Sequence, residues 1–344
     1  MSRATEAVNT QRRPVTMEDV AREAGVSRAL VSLVMRESPK VSDERRARVL
    51  AAAERLGYRP NAMARGLASR RTRTIGVLLN DLQNPFFAEM TEGIFEAADE
   101  LDYRLLIGTG RRQPAGERRA VGSFFEHRSD GLLLVSPRLP LNEILAIGRT
   151  TPTVVVARPL RAAHVDSITN DDQLGAALAV RHLAELGHRR IAHIDGGRGA
   201  GAAPRRTGYV REMKRLGLEP QVVAGEFTEA AGVRAAESLL QEDSLPTAVF
   251  AANDLVAAGA LDRLEDAGLR IPEDLSIIGY DNTFLAALHH MSLTTIDQPR
   301  PEIGRLALRT LVERIDGGRT EAVHHRVEPS LVVRATTAPP PTAA

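Results

Sequence analysis

The sequence predicts an all-α helix-turn-helix head followed by an α/β body built from two doubly wound parallel sheets. Three observations carry this expectation. Residues 16–56 read as short amphipathic runs broken at Gly25 and Gly57, whereas from Ile75 onward apolar strand-like runs alternate with helical ones. At 344 residues the chain exceeds one ordinary domain. Charge is also divided: residues 1–73 hold 16 Lys and Arg against 8 Asp and Glu, and the remainder 29 against 36. The whole-chain charge of +1 therefore conceals a basic head on an acidic body.

The first helix opens at Thr16-Met17-Glu18-Asp19, where Thr16 can cap and Asp19 can return the bond. Met17, Val20, Ala21 and Ala24 then follow at helical spacing on one apolar face. Gly25 tolerates the left-handed conformation that ends this helix, and Ser27 caps the next. On that second helix Val31, Val34 and Met35 are expected inward, with Arg28, Ala29, Ser32, Leu33 and Arg36 outward. A helix basic at both ends and small between them meets the needs of a major-groove reader. The positive head is the matching footprint of a phosphate-binding module. A third helix begins at Ser42, carries Val49, Ala53 and Leu56 inward, and ends at Gly57. Tyr58-Arg59-Pro60-Asn61 breaks the pattern before a short amphipathic segment, Ala62–Ala68, and an arginine-bearing linker, Ser69–Thr74.

The expected domains are a disordered arm at 1–13, a helix-turn-helix DNA-binding domain at 14–60, a hinge helix and linker at 61–73, a two-lobed body at 74–335 and a disordered tail at 336–344. Expected strands in the body are Ile75–Leu79, Tyr103–Ile107, Gly131–Val135, Thr153–Ala157, Ile191–Asp195, Thr247–Ala251 and Leu275–Gly279. Their continuous apolar character is that of parallel strands covered on both faces. Helical patterns fall between them, among others at Ala88–Leu101, Asp172–Leu186, Arg206–Leu216, Leu255–Ala267 and Glu302–Ile315. A division near Thr169–Asp172 yields two lobes, with a ligand expected in the cleft at the strands' carboxyl ends.

Several classes are set aside. The chain has no cysteine, so neither disulfides nor a cysteine-based metal site are available. Residues 1–13 have no apolar core of a secretory signal, and no run of about 18 apolar residues occurs, so a soluble cytoplasmic protein without membrane attachment is expected. Gly196–Gly201 follows a strand but lacks the spacing and the Lys-Ser/Thr of a phosphate loop. His289-His290 and His324-His325 are adjacent, a poor geometry for one metal, and no nucleophile elbow is present. No metal, cofactor or catalytic residue is expected.

The motifs resemble one family. Val15 through Ser27, then Val31-Ser32, Val41-Ser42 and Gly57-Tyr58-Arg59-Pro60-Asn61 are similar to the head of lactose-repressor-type (LacI/GalR) regulators. The body agrees at Ile75-Gly76-Val77, Asn84-Pro85-Phe86-Phe87, Leu186-Gly187-His188-Arg189-Arg190-Ile191, Ala252-Asn253-Asp254, Gly279-Tyr280-Asp281 and Leu293 to Gln298. The resemblance runs from about Val15 to Arg334 and implies a periplasmic-binding-protein-like body and a homodimeric repressor. Its double-stranded DNA partner is implied to be a palindromic operator. In such a dimer each recognition helix enters a major-groove half-site. Thr16, Ser27, Arg28, Ala29, Ser32, Leu33 and Arg36 are the implied contacts in the head. Paired hinge helices carrying Asn61, Ala64 and Leu67 enter the central minor groove, with Leu67 as the wedge that kinks the base step. The chain departs from the family's habit at Leu30, Leu33 and Arg36, where Thr, Arg and Asn are common. Leu33 cannot make a bidentate bond to guanine but can meet a thymine methyl.

The same resemblance implies an effector, a sugar or related metabolite, held by Phe87, Arg205, Phe227, Asn253 and Asp281. Phe87 and Phe227 match positions that flank the effector, and an aromatic face suits a pyranose or a purine plane. Phe86 reads as core. Arg205, in Arg205-Arg206-Thr207-Gly208-Tyr209, can bracket vicinal hydroxyls or a carboxylate. Asp281 has helix capping as its plain alternative, and Asp171 or Asp172 can equally be the cap of the following helix. Two other functions compete. A transport solute-binding protein would explain the body but not the head, and a sugar- or nucleotide-processing enzyme would need an acid/base or phosphate constellation that is absent from the sequence.

Overall fold

The computed structural model describes residue 13 and residues 15–35, 38–58 and 71–341. Residues up to Thr72 and residues from Arg73 onward form two separate compact units.

In the first unit, α1 (Met17–Ala24), α2 (Arg28–Met35) and α3 (Asp43–Leu56) pack around Val20, Val31, Val34, Val49 and Ala52. The capping box forms as the sequence predicts. Thr16 Oγ1 accepts from the Asp19 amide at 3.4 Å, and the Thr16 amide donates to Asp19 Oδ2 at 2.9 Å. Gly25 and Gly57 close α1 and α3 with φ of 63° and 64°, a conformation that costs any other L-residue about 1–2 kcal/mol. Ser27 Oγ accepts from the Leu30 amide at 3.2 Å. One expectation is corrected here. Leu33, expected outward, is half-buried and packs with Leu30 against the head's core, because apolar side chains at both edges of α2 widen its inward face.

In the body the first lobe contains β1 (Thr74–Leu79), α4 (Pro85–Glu100), β2 (Arg104–Thr109), α5 (Pro114–Glu126), β3 (Gly131–Val135), α6 (Leu141–Thr150), β4 (Thr153–Val156) and β5 (Asp166–Asn170). The second contains α7 (Asp172–Glu185), β6 (Ile191–Ile194), α8 (Ala202–Arg215), β7 (Gln221–Val223), α9 (Glu229–Leu240), β8 (Ala248–Ala251), α10 (Asp254–Asp266), β9 (Ser276–Asp281) and β10 (Thr294–Asp297). The chain then returns to the first lobe for α11 (Arg300–Ile315) and β11 (His324–Val327) and ends in the second with β12 (Ser330–Val332).

The strand orders are β11-β5-β4-β3-β1-β2 and β12-β10-β9-β8-β6-β7. Both sheets are parallel except that β12 runs antiparallel to β10. The two sheets repeat one winding pattern, reversing direction at β1/β3 and at β6/β8. Ligands of such sheets sit at the carboxyl ends of the strands beside those reversals.

The single division expected near Thr169–Asp172 is therefore incomplete: the chain crosses between lobes there, again between Asp297 and Arg300, and again between Val327 and Ser330. The return is pinned by Asp166, which accepts from Arg314 Nε and Nη2, both at 2.8 Å, and from Arg319 Nη1 at 2.8 Å. Burial alone would raise this carboxyl, but those arginines and the Val323 amide hold it down at about 2.

The tail is also corrected. The Ile277 amide donates to Thr336 O at 2.8 Å, and Ser276 Oγ and a His188 ring nitrogen lie 3.1 Å and 2.8 Å from Ala338 O. The segment through Ala338 is thus docked on the second lobe, because its polar backbone finds partners along β9 that composition does not reveal. Within the described residues no helix is long and apolar enough to cross a membrane.

Candidate functional site

In the head, Ser27, Arg28 and Ala29 are exposed at the start of α2, and Ser32 is half-exposed one turn on. Thr16 spends its hydroxyl on the cap. Arg36, Asn61, Ala64 and Leu67 lie outside the described residues.

In the body, a cleft between the lobes encloses about 590 Å³, part of it open to solvent. All five effector residues expected from the sequence, Phe87, Arg205, Phe227, Asn253 and Asp281, line it. The topology explains the convergence. Asn80, Asp81 and Asn84 follow β1, and Ser136 and Arg138 follow β3, at the first lobe's reversal. Gly199 to Gly201 lie on the loop after β6, and Asn253 follows β8, at the second.

Arg205 is the centre of the second lobe's wall. It is 5% exposed; its Nε donates to Asp172 Oδ1 at 2.9 Å and its Nη1 to Ala252 O at 2.6 Å. Its guanidinium carbon stands 3.7 Å above the Tyr280 ring and 5.3 Å from that of Phe227, and Nη1 is 3.7 Å from Asp281 Oδ1. Burial opposes the charge, yet Asp172 foremost, then Tyr280 and Asp281, keep the group firmly protonated. A guanidinium held on so many sides is a fixed donor rather than a mobile one.

The neighbouring carboxylates divide the roles left open by the sequence. Asp171 caps α7, accepting from the Leu174 amide at 3.1 Å, while Asp172 turns inward to Arg205. Asp281 is not a cap. It ends β9 at φ 112°, is 3% exposed, and accepts from Gln298 Nε2 at 2.5 Å. Burial pushes the Asp281 carboxyl up, as it does that of Asp254 behind it, which accepts from Thr295 Oγ1 and from the amide and hydroxyl of Thr283. Asn253 is the residue that caps: its Oδ1 accepts from the Val256 amide at 3.0 Å, so its Nδ2 is what faces a ligand.

The aromatic side also differs from expectation. Phe86 and Phe87 both line the cleft, their rings edge to face with centroids 5.2 Å apart. Phe86 is thus not core alone, since the Asn84 cap on its amide turns both rings at the head of α4. Phe227 rests on the Gly196–Gly201 loop, and a Cβ at Gly196 or Gly199 would come within 2.4 Å or 2.3 Å of its ring. The glycines that suggested a phosphate loop make room for an aromatic ring.

Sequence reading missed Asn80, Arg138, Asn170, Tyr280 and Gln298. Asn170 Nδ2 donates to Tyr280 Oη at 2.8 Å across the lobes. Among the described residues no cluster of His, Asp and Glu is arranged to hold a metal.

A profile described as bacterial regulatory proteins, lacI family, matches residues 16–61, and one described as a periplasmic binding protein-like domain matches residues 180–337. The repressor CytR of Escherichia coli (strain K12) is 37% identical over 337 residues, 95% of this chain and 97% of its own length. The chain belongs to the lacI family. Catabolite control protein A of Priestia megaterium is 36% identical, covering 91% of this chain and 98% of its own. The lac repressor dimer bound to operator and the anti-inducer ONPF superposes with a TM-score of 0.84 at 29% identity, over 95% of this chain and all of that one. The lacI-family assignment makes the chain a DNA-binding transcriptional regulator of the repressor type rather than an enzyme.

Proposed function

We propose that this lacI-family protein is a cytoplasmic homodimer that represses transcription from a palindromic operator and that a sugar or related metabolite, bound between its lobes, sets its operator affinity. Arg28, Ala29 and Ser32 on α2 read the major groove, Ser27 and Arg36 flank them, Thr16 fixes the entry of α1, and hinge residues Asn61, Ala64 and Leu67 take the minor groove. The observation that carries the effector reading is the ready-made anchor in the cleft, Arg205 locked by Asp172 and Ala252 O and roofed by Phe227 and Tyr280. Such an anchor suits a pair of hydroxyls and an apolar ring face together. Similar proteins support the class: a solved CelR–cellobiose complex is 35% identical with a TM-score of 0.72 over 94% of this chain, and a regulator from Enterococcus faecium with bound ribose is 29% identical with a TM-score of 0.71 over 77%.

A ligand that contacts both lobes has different affinities for open and closed forms, so it shifts their balance, and the linkage is reciprocal at about 1–3 kcal/mol. The test begins with duplexes enriched from a random pool by the purified protein. Mobility shifts of the enriched duplex are then followed during titration with sugars and related metabolites. Enrichment of a two-fold symmetric site and release or tightening by one compound is expected. No enriched site, or affinity indifferent to every compound, would overturn the reading.

A further inference from the structure

We propose that the effector is a polyol bearing one anionic group, and that Arg138 in the first lobe selects for that group; this rests on reading the cleft as the effector site. Three arginines line the cleft. Arg205 is neutralised by Asp172 and Asp281, and Arg112 has Glu226 at 3.5 Å. Arg138 stands apart: among the described residues no carboxylate oxygen comes within 4.0 Å of its guanidinium, and its buried Nε has no hydrogen-bond partner.

The loop that carries Arg138 is clamped from both sides. The Glu117 carboxylate, fully buried on α5, accepts from the Arg138 amide at 2.9 Å and from the Leu139 amide at 2.8 Å. Arg158 Nη1 donates to Pro137 O at 3.0 Å and to Leu139 O at 2.6 Å. Ser136, which begins the loop, is held at φ 51°. Glu117 and Arg158 are thus positioning residues. They fix the backbone, and Glu117 attracts Arg138 through space, but no carboxylate pairs directly with its guanidinium in the cleft, an arrangement whose desolvation cost an incoming anion offsets. A neutral hydroxyl satisfies a hydrogen bond there but not the charge.

The rest of this wall specifies what accompanies the anion. Asn80 Oδ1 and Asn170 Oδ1 are buried without donors, each residue being 8% exposed. The bond from Asn170 Nδ2 to Tyr280 Oη fixes that amide, so its oxygen stays an acceptor. The wall therefore asks for two O–H donors and one anionic acceptor on one molecule. A sugar acid and a phosphorylated sugar share that chemistry.

Calorimetric titration of the full-length protein would use ribose, glucose and galactose, each beside its sugar acid and its terminal phosphate ester. Wild type, Arg138→Gln and Arg138→Lys are compared, with melting temperatures confirming that the variants fold. At least one anionic member is expected to bind about tenfold or more tightly than its neutral parent. Arg138→Gln is expected to erase that preference and Arg138→Lys to keep part of it. Whether carboxylate or phosphate gains identifies the source. Neutral parents binding as tightly as their anions, or Arg138→Gln weakening both alike, would overturn the charge requirement and leave the effector reading standing. Binding by no member of the set would overturn both.

Discussion

The two walls of the cleft are built by opposite rules. On the second lobe nearly every polar group is already engaged: Arg205 with Asp172 and Ala252, Asp281 with Gln298, Asn253 with the first turn of α10. On the first lobe, Asn80 Oδ1, Asn170 Oδ1 and Arg138 Nε are buried with nothing to bond. A buried polar group without a partner costs about 1–3 kcal/mol. The second wall therefore adds to the stability of the ligand-free protein, while the first draws on it and recovers the cost when a ligand arrives. An anchor common to many ligands belongs on a wall like the second lobe's, and discrimination among them on a wall like the first lobe's.

The largest expected effect tests the anchored wall. Arg205→Ala removes one partner of a buried ion pair and strands Asp172 and Asp281, which is worth about 3–5 kcal/mol of stability. Sequence reading alone expects this substitution to abolish the effector response and spare ligand-free DNA affinity. The buried geometry adds a marked loss of stability. Chemical denaturation measures it, and an unchanged midpoint would mean that the second wall is not preassembled.

That revision shows what was legible. Arg205, Phe227, Asn253 and Asp281 were found because they sit in short motifs or at positions that resemble those of the family. Asn80 and Arg138 lie on first-lobe loops whose conformations, with Ser136 and Ala157 at φ 51° and 58°, belong to no short pattern, and Asn170 ends the polar strand β5. Strands β5, β7 and β10 to β12 escaped for another reason. β5 (Asp166–Asn170) and β11 (His324–Val327) are polar in sequence, and β11 finds its place only by a long-range return to β5. In the head the capping box and glycine stops are local, so all three helices were readable to within a residue or two.

A substitution of intermediate size probes how the aromatic roof is held. Gly199→Ala places a methyl 2.3 Å from Phe227 Cδ2, so the ring must swing into the cleft. Overpacking of this kind costs about 1–3 kcal/mol. Ligand affinity should fall with the ring's displacement. Undiminished affinity would show that Phe227 does not roof the ligand.

A smaller effect distinguishes the walls by pH. Burial raises the Asp281 and Asp254 carboxyls, which face Arg205 and Arg300. The folded body then binds protons that the unfolded chain has released. The contribution of these two carboxyls to stability is full below the ordinary carboxylate range and declines as pH rises toward neutrality. Asp281→Asn should flatten part of this slope. Melting temperatures that rise over the same interval, or a slope identical in the variant, would contradict the assignment.

The smallest effect on stability is expected where sequence reasoning saw nothing. Asn80→Ala deletes an acceptor that has no donor, so the cavity it leaves is offset by the lost desolvation penalty. A net change within about 1 kcal/mol follows, of either sign. The same substitution removes one of the two acceptors that the first wall offers to ligand hydroxyls. Affinity for the cognate effector should fall by about tenfold, as for one lost hydrogen bond of about 1.4 kcal/mol. Stability and affinity thus separate at Asn80, whereas at Arg205 they fall together. Thermal melting beside calorimetric titration reads both quantities on one preparation. If Asn80→Ala costs several kcal/mol of stability while affinity holds, Asn80 serves the fold, and the contrast between the two walls fails at its weaker side.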